Sequence, residues 1–152
     1  MTSPPFREGD FVWCAFPEHE NPVQPGPHHL AYALAVSSSA TTDGRQEVCA
    51  LLAYTTTRPW LDPTRPRGVF VFDRQEAARL GQTRAFVMDL RRLATVPVTP
   101  LWFPRLDRAG SGVQGRMPKQ QQRQYLQVVE CLLRRRPEII ERLGPLWPGK
   151  RR

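Results

Sequence analysis

The chain has 152 residues, of which 40% are hydrophobic and 16 are proline. A chain of this length fits one domain, or one domain with an appendage, and it can bury a core without disulfides or structural metals. It contains no run of about 18 apolar residues, which excludes a transmembrane helix, and residues 1–8 lack the basic-then-apolar order of a secretory signal. The three cysteines, Cys14, Cys49 and Cys131, form neither a CxxC pair nor a zinc site, so we expect no metal or cofactor. Cys14 and Cys49 lie in apolar strand-like runs, so we expect buried free thiols there, in a reducing cytoplasm.

The formal net charge of +8 is concentrated towards the C-terminus. Residues 1–112 contain 12 Arg and 11 acidic residues, whereas residues 113–152 contain 10 Lys and Arg residues and only 3 Glu. All but two of the 22 basic residues are Arg, whose planar guanidinium binds phosphate and carboxylate through paired hydrogen bonds. The composition therefore favours a polyanion or an acidic protein as partner, although a solvated charged surface gives the same pattern.

The first two-thirds of the chain has the pattern of a small antiparallel β-barrel or sandwich. Six short apolar runs, bounded by Pro, Gly or polar turns, predict strands at 11–16, 30–36, 48–54, 69–72, 85–88 and 93–98. Between the fourth and fifth runs, Asp73 and Glu76 form a capping box for a short helix that stops at Gly81.

The last third predicts helices. The polar segment 107–118 is typical of a linker, and Pro137 would open a short second helix that ends at Gly144. Before it, apolar residues at helical spacing predict an amphipathic helix: Tyr125, Val128, Val129, Leu132 and Leu133. We therefore divide the chain into a β domain at 1–106, a linker at 107–118 and a basic helical extension at 119–152.

Several motifs resemble those of the PemK/MazF-type toxins of toxin–antitoxin pairs. Gly9–Glu18 reads GDFVWCAFPE and resembles the family's opening strand, and Glu20–Pro27 matches the acidic, Pro/Gly-rich loop of its PemK-like branch. Ala53–Thr57 resembles the family's "AY-x-T-S/T" strand end, and Arg84–Leu93 resembles its "F-DL-R" strand. The resemblance covers about residues 8–104.

This resemblance implies an SH3-like small barrel, usually a homodimer, with a short helix and here a basic C-terminal helical extension. It implies metal-independent cleavage of single-stranded RNA, and neutralisation by a cognate acidic antitoxin. In that chemistry the ribose 2′-OH attacks the adjacent phosphate, which requires a base, an acid and donors for the phosphorane.

The family's catalytic Thr maps onto Thr56, with Thr57 beside it as an RNA contact, although Thr56 is equally an ordinary strand-end threonine. Its catalytic Arg position is occupied by Leu30, which can neither bind phosphate nor move a proton. Two interpretations follow. Either His28 and His29 serve as base and acid while Arg58 stabilises the phosphorane, or the site is degenerate and the histidines are solvated loop residues.

Further residues are candidates for RNA binding or packing. Trp60 lies among Arg58, Arg65 and Arg67 on one loop, so it could stack a base while these arginines pair with flanking phosphates. The candidate RNA-binding residues, in addition to Thr57, are therefore Trp60, Arg65, Arg67 and Arg84. Arg134–Arg136 has three interpretations: a favourable charge at a helix C-terminus, a phosphate contact or a grip on an acidic antitoxin. Trp13 is expected in the core, and 102–103 in the core or a dimer face.

The sequence leaves three functions open. The first is a toxin-type endoribonuclease. The second is a non-catalytic relative that keeps the barrel as a nucleic-acid or protein-binding module, which Leu30 favours. The third is a topoisomerase poison of the CcdB type, which shares the barrel but needs no site of hydroxyl and guanidinium groups.

Overall fold

The computed structural model describes residues 4–17, 25–40, 42–58, 67–105 and 112–143. In chain order the elements are β1 (Asp10–Ala15), β2 (His28–Ala40), β3 (Gln46–Thr56), β4 (Val69–Phe72), α1 (Arg74–Arg79), β5 (Phe86–Pro97), β6 (Val113–Arg116), α2 (Lys119–Leu133) and α3 (Pro137–Leu143). The strands form one antiparallel sheet in the order β4-β5-β3-β2-β1-β6, which curls into a half-barrel. The prediction of a mostly-β fold with a few helices is confirmed.

The fifth and sixth predicted strands are joined in the structure as the single strand β5. Its register against β3 shifts midway, because Ala53 lies opposite Leu93 whereas Tyr54 lies opposite Asp89. The polar residues inside this irregularity interrupt the apolar pattern, which is why the sequence predicted a break there. The shift brings Arg92 close to Tyr54, where the candidate site lies.

Alternate strand residues contribute to two separate cores, one on each face of the sheet. The helix-side core is covered by α2 and includes Phe11, Leu30, Tyr32, Leu34, Leu51, Ala53, Met88 and Leu90. The opposite core includes Val12, Cys14, Phe16, Ala31, Ala33, Leu52, Val96, Trp102 and Phe103. Burying each large apolar side chain stabilises the fold by about 1.5–3 kcal/mol, so both faces contribute to its stability.

Helix α2 is an integral part of the helix-side core. Tyr125, Val129 and Leu133 occur every fourth residue, and each is at most 4% exposed. At the start of β1, Gly9 has a φ of 93°, and a Cβ there would overlap the side chain of Gln122. Only glycine tolerates both a positive φ and the lack of space for a Cβ, so Gly9 allows α2 to approach the sheet. The described part of the predicted extension therefore packs on the β domain.

The predicted linker at 107–118 differs from the structure in its described part, because Val113–Arg116 form β6 and pair with β1. The Arg116 guanidinium donates to the Asp10 carboxylate at 2.9 Å, and the same carboxylate accepts the Arg7 backbone N–H at 2.9 Å. Asp10 is 2% exposed, so these bonds satisfy a buried charge that ties the N-terminal segment to β6. The short polar strand had no apolar pattern to reveal it.

The predicted helices are confirmed in the described residues. The Asp73 side chain accepts the Glu76 backbone N–H at 2.8 Å, the Glu76 carboxylate accepts the Asp73 N–H at 3.2 Å, and Gly81 follows with a φ of 70°. Helix α3 begins at Pro137, as predicted, whereas its predicted stop at Gly144 lies outside the described residues. No helix in the described ranges is long and apolar enough to cross a membrane.

Core predictions for the aromatic and sulfur side chains are confirmed in most cases. Trp102 and Phe103 are buried in the opposite core. Trp13 is only partly buried, and the Arg105 guanidinium lies 4.5 Å from the centre of its ring. Burial raises the pKa of Cys14 to about 12, so this thiol stays protonated and unreactive at neutral pH. Cys49 is half-buried and also free.

Candidate functional site

The predicted site residues near His28 and Thr56 lie at one end of the sheet, where β2 begins and β3 ends. Strand β1 continues alongside, with Cys14 opposite His29. The Thr55 hydroxyl donates to the Leu30 carbonyl and is 3% exposed, so it fastens the two strand ends together. The sheet therefore brings His28, His29 and Thr56 to the same end of the β2–β3 pair.

Leu30 occupies the position of the family's catalytic Arg, but its side chain belongs to the core. It is 5% exposed and packs in the helix-side core. Because β-strand side chains alternate, its neighbour His29 belongs to the other face of the sheet. An Arg at this position would have to bury its charge, so any catalytic cation must come from elsewhere.

His29 lies in a compact group of aromatic and cationic side chains. The centre of its ring is 4.8 Å from that of Tyr54, and the Tyr54 ring is 5.3 Å from that of Phe16. The guanidinium carbon of Arg92 lies 3.9 Å from the centre of the Tyr54 ring and 5.7 Å from that of Phe16, within the range of cation–π attraction. We call Phe16, His29, Tyr54 and Arg92 the His29 cluster.

The electrostatics of the His29 cluster favour a neutral imidazole. Burial lowers the pKa of His29, and the positive charges of Arg92, Arg58 and His28 lower this pKa further, against a raising contribution from a hydrogen bond with the Thr55 backbone. No carboxylate among the described residues forms an ion pair with Arg92 or Arg58. The cluster thus combines a proton acceptor with uncompensated positive charge, which suits an anion.

Thr56 ends β3 and shapes the turn that follows. Its hydroxyl oxygen accepts the Arg58 backbone N–H at 3.1 Å, a local turn typical of threonine. Because the hydroxyl acts as acceptor in this bond, its hydrogen stays available to a phosphate oxygen. Thr57 and Arg58 are exposed beyond it, and the positive charge of Arg58 lies close enough to lower the pKa of His29.

Thr57, Arg67 and Arg84 are the described members of the predicted RNA-binding set, and Thr57 follows Thr56 directly at the end of β3. Arg84 is exposed just before β5, at the end of the sheet where β3 finishes. Arg67 is exposed at the turn before β4, and no contact of either residue with the His29 cluster is seen. Trp60 and Arg65 lie outside the described residues.

Sequence reasoning missed Arg92 and the role of Tyr54. Arg91 and Arg92 stand as a charged pair inside an otherwise apolar strand, and this unusual placement was the available signal. Arg91 is paired with Asp89 at 2.9 Å, whereas Arg92 stacks on Tyr54. The two neighbours thus have different roles that depend on the register of β5.

No three His, Cys, Asp or Glu side chains of the described ranges group as metal ligands would. Comparison with known proteins gives no match to a protein-family model, a curated protein or a solved structure. The chemistry of the site therefore rests on its own geometry.

Proposed function

We propose that this protein is a toxin-type endoribonuclease, with an SH3-like barrel of the PemK/MazF kind, which cleaves single-stranded RNA without a metal ion. The observation that carries the proposal is the His29 cluster, in which an imidazole with a lowered pKa and a stacked guanidinium share the Tyr54 ring. A neutral imidazole can accept a proton, and a guanidinium beside it can bind phosphate. RNA cleavage by the 2′-OH needs both.

The proposed reaction assigns one role to each polar residue. His29 takes the proton from the ribose 2′-OH, whose oxygen then bonds to phosphorus. The bond from phosphorus to the 5′-oxygen breaks, and His28 gives a proton to that oxygen. His28 is the exposed first residue of β2, and strand alternation places it on the face opposite His29, so in this mechanism its side chain reaches the phosphate around the end of the strand. The products are a 2′,3′-cyclic phosphate and a free 5′-OH.

Stabilisation of the phosphorane falls to donors around the histidines. Arg92 and Arg58 supply positive charge, and the Thr56 hydroxyl can donate to a phosphate oxygen. Tyr54 and Phe16 present aromatic rings, on which nucleic-acid bases stack in many single-strand-binding proteins. The guanidinium that the family carries at the position of Leu30 is thus replaced by Arg92 from β5.

A second function is favoured by one observation, the burial of Leu30. If Arg92 and Arg58 bind phosphate but no histidine transfers a proton, the protein is a non-catalytic module that binds nucleic acid. Such a module would hold RNA intact with the same basic and aromatic residues. The two functions differ only in whether RNA is cut.

The proposal also implies a biological setting. A toxin of this type would act in the cytoplasm as a homodimer and would be neutralised by a cognate acidic antitoxin. The uncompensated charges of Arg92 and Arg58 are suited to acidic side chains as well as to phosphate.

Cleavage of a labelled, mixed-sequence single-stranded RNA in the presence of EDTA tests the function. We expect the wild-type protein to cut this RNA, to leave cyclic phosphate ends, and to leave the matching DNA intact because it lacks the 2′-OH. The folded variant His28→Ala/His29→Ala should cut at least about 10²-fold more slowly. If the wild type binds the RNA without cutting it, the protein is the binding module. If the double variant cuts as fast as the wild type, the histidine mechanism is wrong.

A further inference from the structure

One side of helix α2 faces away from the core and carries only basic and amide side chains at its exposed positions. Its buried positions are Gln122, Tyr125, Val129 and Leu133. At 100° per residue, the exposed positions fall within a sector of about 140° on the other side of the helix. They are Lys119, Gln120, Arg123, Gln124, Gln127 and, at the C-cap, Arg134, and we call them the basic α2 face.

Positive charge predominates on the basic α2 face. The single acidic residue within α2, Glu130, falls in the same sector one turn before Arg134, but it is half-buried with its Oε1 atom buried, so it offsets only part of the charge of the three exposed basic residues. In the part of the chain that the structure describes, no carboxylate forms an ion pair with Lys119, Arg123 or Arg134. Helix α1 differs, because the acidic Glu76 lies among its exposed arginines. A helix that is merely solvated usually carries charges of both signs.

We propose that the basic α2 face is a second binding surface that holds the phosphate backbone of a nucleic acid. Arg and Lys bind phosphate oxygens directly, and the amide groups of Gln120, Gln124 and Gln127 add further donors. From Lys119 to Arg134 the face extends about 22 Å. This length matches roughly six nucleotide steps of one duplex strand.

The composition of the basic α2 face favours nucleic acid over an acidic protein. Protein interfaces have an apolar or aromatic centre and are depleted of lysine. The exposed positions of α2 hold no aromatic or aliphatic side chain that could form such a centre. Sequence beyond the described helices adds Lys150, Arg151 and Arg152, and residues 144–152 contain no acidic residue.

The basic α2 face and the His29 cluster lie on different sides of the sheet. Helix α2 covers the helix-side core, whereas Phe16 and Tyr54 of the cluster pack with the opposite core. One short strand therefore cannot occupy both surfaces in line. A long nucleic acid that wraps the sheet edge can engage both, which would increase its affinity through multivalency. Binding at α2 requires no cleavage, so this proposal stands apart from the proposed function.

Binding of a labelled single-stranded DNA to the full-length protein, measured by fluorescence anisotropy over a series of salt concentrations, tests the proposal. The DNA lacks the 2′-OH and so is not a substrate. The variant Lys119→Gln/Arg123→Gln/Arg134→Gln removes three charges with residues that keep a helix. The matched control Arg45→Gln/Arg74→Gln/Arg79→Gln removes three exposed charges that lie near Asp43, Asp73 and Glu76.

We expect the α2 variant to bind at least tenfold more weakly than the wild type at low salt. The slope of its plot of log affinity against log salt should be less steep by about 2, since each of the three lost phosphate contacts with a single strand contributes about 0.7 to that slope. The control should keep most of the affinity. The same titrations with duplex DNA show which form of nucleic acid the face prefers, and a loss with either form supports the proposal.

Three results would overturn the proposal. The first is an unchanged affinity of the α2 variant, which would mean that the face is only solvated. The second is an equal loss in the α2 variant and the control, which would mean that total charge alone matters. The third comes from the same titrations with polyglutamate: if the α2 variant loses more affinity for polyglutamate than for either DNA, the face recognises acidic protein. Cleavage of a short RNA by the α2 variant is expected at the wild-type rate, which separates this test from that of the proposed function.

Discussion

Aromatic side chains gather on both faces of the sheet, but their neighbours differ. On the helix-covered face, Phe11 packs against three other rings with centroid distances between 5.1 and 5.9 Å. On the other face, the Tyr54 ring contacts the imidazole of His29, and the guanidinium of Arg92 lies over the rings of Tyr54 and Phe16. Aromatic rings surrounded by apolar atoms stabilise the fold, whereas rings that hold a titratable group and a cation at the edge of a core can form a site.

The largest expected effect is on the helix-covered face. Tyr125→Ala removes a ring that lies 5.3 Å from Tyr32 and 5.0 Å from Phe70, and should lower the free energy of unfolding by about 3–5 kcal/mol. Urea denaturation measures this change. The control Gln124→Ala alters the exposed side of the same helix and should stay within about 0.5 kcal/mol of the wild type. Equal stability of both variants would show that α2 is not part of the core.

A smaller effect is expected where α2 meets β1. Gly9→Ala places a side chain at positive φ and against Gln122, so it should cost about 2–4 kcal/mol. Gly44→Ala is a matched control, because Gly44 has a φ of 84° but a Cβ there meets no described atom within 4 Å. It should cost about 1–2 kcal/mol, for the backbone conformation alone.

The double variant Gly9→Ala/Gln122→Ala should recover part of the difference between the two glycine variants. Thermal or urea unfolding measures all three proteins. Equal costs at Gly9 and Gly44 would contradict a close approach of α2 to the start of β1.

The smallest expected effect concerns the protonation of His29. Its pKa in the folded protein is below the unfolded value of about 6.5, so the unfolded chain binds more protons between these two values. The contribution of His29 to stability is therefore complete above about pH 6.5 and is lost as the pH falls towards the folded pKa. An NMR titration of the His29 ring measures this pKa directly.

Arg92→Gln should raise the pKa of His29, because it removes a nearby positive charge without changing the core. The neighbouring variant Arg91→Gln should have less effect, since Arg91 is already paired with Asp89. A pKa of His29 that is the same in all three proteins would show that Arg92 does not act on the imidazole.

Much of the fold could be predicted from local patterns. The apolar run after Gly9, the capping box of α1 and the spacing of Tyr125, Val129 and Leu133 each reflect one element. Strand β6 could not be predicted, because Val113–Arg116 is short and polar and becomes a strand only by pairing with β1. The same holds for the docking of α2, which depends on a glycine far away in the sequence.

In the candidate site, too, some residues could be predicted from the sequence and others could not. His28, His29 and Thr56 were identified from the sequence through the resemblance to the PemK/MazF type, and the antiparallel pairing of β2 with β3 places them at one end of the sheet. Arg92 was not identified, because its contact with Tyr54 depends on a register shift within β5 that no local pattern encodes. The PemK/MazF resemblance stays a prediction, as do the RNA contacts at Trp60, Arg65, Arg67 and Arg84.

The rate of RNA cleavage by the single variant His29→Ala, compared with that of the wild type across pH in the presence of EDTA, tests the proposed site most directly. We predict that the wild-type rate rises with pH through the lowered pKa of His29, because the base must be neutral. The folded variant should lose this dependence and cut about 10²–10⁴-fold more slowly. A His29→Ala protein that cuts at the wild-type rate, with the same pH profile, would contradict the proposal.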